Sequence, residues 1–80
     1  MRVGAAVRQR IINLCKLNSI TVNNLGIICG INQSTLNNIV SGRNKSTTIS
    51  TIKKICDGLN MPLLEFFNDE IFENLEQEIN

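Results

Sequence analysis

Gln33, Ser34, Thr35, Asn37 and Asn38 put amide and hydroxyl groups within one short stretch of chain. The carboxamides of Gln and Asn carry a donor beside an acceptor, which matches the N7 and amino group of adenine; the hydroxyls serve bases or phosphates. Arg43, Asn44 and Lys45 follow in a polar, cationic stretch, Arg43-Asn44-Lys45-Ser46-Thr47. This is recognition chemistry and not bond-making. His is absent, which removes the usual general base and the commonest transition-metal ligand. The basic part of the chain has no paired carboxylates and no glycine-rich phosphate loop, so no catalytic residue, cofactor or enzyme activity is expected. Cys15, Cys29 and Cys56 are odd in number and form no CxxC, too few for a zinc site or a disulfide framework. They read as free thiols filling small core positions, with no metal.

The elements that must position these groups are helices. Val7, Ile11, Leu14 and Cys15 form one face of a first helix from about Gly4 to Leu17, with Asn18-Ser19-Ile20 as the break. Thr21 is a good N-cap for a second helix, whose apolar face is Val22, Leu25, Ile28 and Cys29. Gly30 is placed for a left-handed C-terminal turn, Ile31 anchors it, and Asn32 caps the third helix. There Leu36, Ile39 and Val40 point inward, which leaves the amide and hydroxyl residues outside. Ser41-Gly42 stops it. Thr48 caps a fourth helix with Ile49, Ile52, Ile55, Cys56 and Leu59 on its apolar face; Pro62 opens a fifth around Leu63, Leu64, Phe66 and Phe67. Arg8, Arg10, Lys16, Lys53 and Lys54 read as solvated helix faces, and Phe66, Phe67 and Phe72 as core or interface. Ile71, Phe72, Leu75 and Ile79, with acids between them, read as an acidic amphipathic helix or a continuation of the fifth.

Eighty residues make one domain with a small core. With 42% hydrophobic and 19% charged residues the chain is too apolar for disorder and too polar for a membrane span. No secretory h-region follows Met1, so a cytoplasmic protein is expected. The near-neutral total charge hides an asymmetry. Residues 1–68 hold all eight cations against two acids, a net of +6; residues 69–80 hold five acids and no cation, a net of −5. A polyanion is the natural partner of the basic part. The expected organisation is a helix-turn-helix domain over residues 1–68 and an acidic amphipathic tail over 69–80.

Two short helices joined by Gly30-Ile31-Asn32, with Gly26 allowing close approach and Leu36 filling the angle, form a helix-turn-helix candidate. Arg10-Ile11, Ile20-Thr21, Leu25-Gly26, Gly30 through Leu36, Ile39, Gly42-Arg43, Thr48-Ile49, Thr51 through Ile55, Leu59 and Phe66-Phe67 together resemble the XRE family of lambda repressor/Cro-like DNA-binding domains, over about residues 7–67. The resemblance implies an all-α, five-helix lambda repressor-like fold, here with a short acidic C-terminal helical extension. It implies that the third helix enters the major groove of double-stranded DNA and that Gln33, Ser34, Thr35, Asn37 and Asn38 read base edges. Because this face carries no Arg or Lys, A·T pairs are expected at the contacted positions. Phosphate contacts are expected from Thr21 and Thr48 at helix N-termini and from Arg43, Asn44 and Lys45 in the loop that runs along the backbone in relatives. Val22 stands where many relatives have a phosphate-contacting Gln.

The function so implied is a sequence-specific transcriptional regulator, a repressor, bacterial or phage-encoded and nucleoid-associated. One such domain makes few contacts, so a homodimer on half-sites about 34 Å apart is expected. Three roles are open to the tail: capping the core, pairing with its copy, or binding a foreign protein. The last belongs to the alternative reading, a protein-interaction module or an antitoxin whose acidic tail binds a partner.

Overall fold

The computed structural model describes residues 1–79. Five α-helices follow in order: α1 (Val3–Leu17), α2 (Val22–Cys29), α3 (Gln33–Val40), α4 (Ile49–Gly58) and α5 (Leu63–Phe67), then a single 3-10 turn at Glu70–Phe72. No strand occurs among the described residues. The fold is all-α with five helices, as the apolar spacing indicates. No helix among them is long and apolar enough to cross a membrane.

The caps are made by the residues that the sequence puts there. Thr21 Oγ1 accepts from the Asn24 N–H at 3.1 Å, Asn32 Oδ1 from the Ser34 N–H at 2.8 Å, and Thr48 Oγ1 from the Thr51 N–H at 3.2 Å. Each satisfies an N–H that has no partner inside its own helix. Gly30 ends α2 at φ 67°, a conformation that a Cβ would strain. The Ile31 N–H then donates back to the Gly26 carbonyl at 2.9 Å and fixes the angle between α2 and α3.

The core joins Val7, Ile11, Leu14 and Cys15 of α1 to Leu25, Leu36, Ile39, Ile52, Ile55, Cys56 and Phe66. Leu36 is fully buried and fills the wedge between α2 and α3. The three thiols are free. Burial pushes each one's pKa up, and for Cys29 the other two thiols add to the effect. A raised thiol pKa means little thiolate near neutrality, which suits a packing role.

Ile28, Ile49 and Arg10 sit otherwise than their spacing suggests. Ile28 is 49% exposed instead of facing inward. At about 100° per residue it lies off the stripe made by Val22, Leu25, Gly26 and Cys29. Ile49 is 59% exposed because α4 meets α2 near its other end, where Cys29 packs on Ile55 and Gly58. Arg10 lies on no solvated face: it is 6% exposed. Its Nε donates to the Phe66 carbonyl at 2.8 Å and an outer nitrogen to the Glu65 carbonyl at 2.9 Å. The other outer nitrogen pairs with Asp69 at 3.2 Å, and the guanidinium stands 5.9 Å from the Phe66 ring centre. Arg10 thus satisfies the open carbonyl end of α5 and ties α1 to the start of the tail.

The tail is not the amphipathic α-helix expected from Ile71, Phe72, Leu75 and Ile79. After the 3-10 turn the chain is extended at Glu73, then left-handed at Asn74 (φ 58°). Phe72 packs with Phe66 and Phe67, at ring separations of 6.1 and 5.1 Å, while Ile79 is left exposed. Beyond Phe72 the chain crosses to the start of α1. The Glu76 N–H donates to the Met1 carbonyl at 3.0 Å. Glu76 meets the terminal ammonium and Glu78 meets Arg2, each at 3.4 Å. A segment with five acids and no cation gains no i,i+4 pairing as a helix; stretched out, it reaches the terminal ammonium and Arg2 just before α1 instead.

Candidate nucleic-acid interface

The outer face of α3 carries the residues singled out for base recognition. Ser34, Thr35 and Asn37 are exposed; Gln33 and Asn38 are half-buried. No hydrogen bond among the described residues engages the side chains of Ser34, Thr35, Asn37 or Asn38. Gln33 differs. Its Nε2 donates to the Asn23 carbonyl of α2 at 3.0 Å. The carboxamide lies against Gly26, where a Cβ would collide with Nε2 and crowd the Ile31 carbonyl at 3.1 Å. Gly26 therefore does two things: it lets α2 and α3 approach, and it makes the slot that holds the Gln33 amide. The second amide hydrogen and Oε1 stay available, the pair that a bidentate contact to adenine uses.

The loop after α3 is held to it by backbone bonds. Gly42 turns at φ 84°. The Asn44 N–H donates to the Asn38 carbonyl at 2.8 Å, and Asn44 Oδ1 accepts from the Ser46 N–H at 3.0 Å. Arg43 Nε donates to Ser41 Oγ at 3.2 Å, and the residue is exposed. The Lys45 carbonyl lies where a Cβ on Gly4 would stand, so the loop backbone touches the first turn of α1. Arg43, Asn44 and Lys45 are thus brought beside the C-terminal end of α3. Thr21 lies two residues from Asn23, the partner of Gln33, at the other end; its hydroxyl oxygen accepts the capping bond and its hydrogen remains free to donate. Thr48 is tied in only through the chain, and its hydroxyl is shared with Thr51 Oγ1 at 3.0 Å.

One supporting residue has no counterpart among the expected ones. Arg8, grouped above with solvated cations, donates from Nε to the Val40 carbonyl at 2.7 Å and so closes the C-terminal end of α3. Only its spacing from the buried stripe of α1 could have hinted at this. No cluster of three or more His, Cys, Asp or Glu able to hold a metal occurs among the described residues.

The arrangement offers neutral hydrogen-bonding groups on a ridge, with the cations of the loop at its C-terminal end and the Thr21 hydroxyl at the other. Comparison with known proteins agrees. The family description of a Cro/C1-type HTH DNA-binding domain matches residues 10–70. A solved structure, the crystal structure of the prophage Lp1 protein 11, is similar at 32% identity with a TM-score of 0.80, over 94% of this chain and 100% of that one. No curated protein matches.

Proposed function

Because the chain belongs to the Cro/C1-type helix-turn-helix family of DNA-binding domains, we propose that it is a transcriptional repressor that reads an operator through α3 in the major groove. The observation that carries this reading is the exposed, unengaged set of Ser34, Thr35 and Asn37 beside the pinned amide of Gln33. Neutral amides and hydroxyls favour A·T pairs at the contacted positions. Asn38 reads at the C-terminal end of the ridge. Arg43, Asn44, Lys45 and the hydroxyls of Thr21 and Thr48 hold phosphates and set the register. The protein acts as a homodimer, since a single α3 offers too few contacts for tight specific binding. Repression follows from occupancy: a bound dimer excludes polymerase from the site, in the cytoplasm of a bacterium or phage host.

The test is in vitro selection of bound duplexes, followed by a gel-shift salt series on the selected and on random DNA. A palindromic, A·T-containing site and affinity that falls steeply with salt are expected. No shift on any duplex at low salt would refute the reading.

A further inference from the structure

A cleft of about 490 Å³ opens between the first turns of α1 and the loop after α3. Arg2, Arg8, Asn44 and Lys45 line it, together with Glu78 of the tail. Arg8 uses only Nε on Val40, so its outer nitrogens have no bond among the described residues. The Lys45 backbone against Gly4 makes this cleft continuous with the loop, and the Asn44–Asn38 bond joins the loop to α3. The anions at the cleft belong to the chain itself: Glu78 on Arg2 and Glu76 on the terminal ammonium, both at 3.4 Å.

Resting on the DNA-binding reading above, we propose that this cleft is an additional phosphodiester-binding surface and that Glu76 and Glu78 are its intramolecular competitors. Asn44 and Lys45, two of the residues proposed to hold phosphate, line the same cleft as Glu78, and a carboxylate within a Debye length, about 10 Å, of a phosphate repels it. Phosphate drawn to Arg2, Arg8 and Lys45 also competes with Glu78 for Arg2. The tail's bridges are solvent-exposed, with each side chain about half accessible, so they are weak and readily exchanged. DNA binding displaces the last residues of the tail, and the tail lowers affinity for every sequence alike.

The test compares the untagged chain with Glu76→Gln/Glu78→Gln by fluorescence anisotropy, on selected and on random duplexes across a salt series. The double variant binds both duplexes roughly three- to tenfold more tightly at low salt. Its log-affinity falls more steeply with log salt, by about one unit of slope. Arg2→Ala in the same background removes the gain. As a control, Glu70→Gln/Glu73→Gln makes the same change in net charge away from the cleft and gives no comparable gain. Equal affinity and slope for the double variant and the starting protein overturn the inference and leave the DNA-binding reading standing. So does an equal gain from the control pair, which reduces the effect to net charge. If neither protein binds any duplex, the DNA-binding reading fails and this inference with it. Melting curves check the fold, and if the double variant is unfolded Glu78→Gln alone carries the comparison.

Discussion

Gly26→Ala separates specificity from stability. The new methyl group would collide with Gln33 Nε2, come within 3.3 Å of Gln33 Cδ and press on the Ile31 carbonyl at 3.1 Å. Of these, the Gln33 amide is the part free to move, so it leaves its slot and loses Asn23. The lost bond costs about 1 kcal/mol. Replacing Gly by Ala inside a helix returns about 1 kcal/mol. The crowded Ile31 carbonyl adds a few tenths against, so global stability changes by under about 1 kcal/mol. Base discrimination is not protected by any such offset. If Gln33 reads a base pair as proposed, a misplaced carboxamide forfeits about 1–3 kcal/mol there, roughly a 5- to 150-fold loss of preference. The assay pairs thermal melts with anisotropy on the selected operator and its single-base variants. Preference is expected to relax at one position while melting stays close to that of the starting protein. Gly26→Ala/Gln33→Ala should behave like Gln33→Ala alone, since both changes act through the same amide. Intact preference in Gly26→Ala, or an equal loss on all sequences, would refute the positioning argument.

Other outcomes follow from the same geometry. Arg43→Ala weakens binding to all sequences about equally and lowers the salt slope by about one, without changing base preference, in the same anisotropy series. Arg10→Ala destabilises the fold by about 2–4 kcal/mol in urea melts, because the Phe66 and Glu65 carbonyls and Asp69 lose a buried partner. The thiols' contribution to stability is level through neutral pH and falls as pH rises through about 9, the ordinary thiol value. The folded thiols have raised pKa values and hold their protons longer than the unfolded ones do, so the unfolded state gains by ionising first. Chemical denaturation at pH 7, 9 and 10 checks this, and a triple Cys→Ala variant should lose the decline.

Helix boundaries and caps were legible because they rest on local chemistry. Thr21, Asn32 and Thr48 each precede an apolar stripe, and Gly30 sits where only a left-handed residue fits. The outward ridge of α3 was legible because Leu36 and Ile39 define its opposite side. Arg8 and Arg10 were not, since a cation's partners here are carbonyls 32 and 56 residues away that carry no side-chain signal. The tail misled for a related reason. Its apolar spacing suits a helix, but Arg2 and the amino terminus offered its acids better partners than its own neighbours did. The part played by Gly26 was half legible: its small size signals close approach of two helices, while the slot for Gln33 depends on a rotamer that the sequence does not carry.

The bond from Glu76 to the carbonyl of Met1, with the ion pair of Glu78 and Arg2, sets the first and last of the described residues near one another. A few Gly and Ser residues could join residue 79 to residue 1 in a ring, and the ring could be reopened at the Ser19 turn between α1 and α2. Such a circular permutant would keep α3 and the loop after it on uninterrupted chain. The same adjacency makes the domain portable, able to be spliced into a surface loop of a host protein with both junctions leaving from one spot.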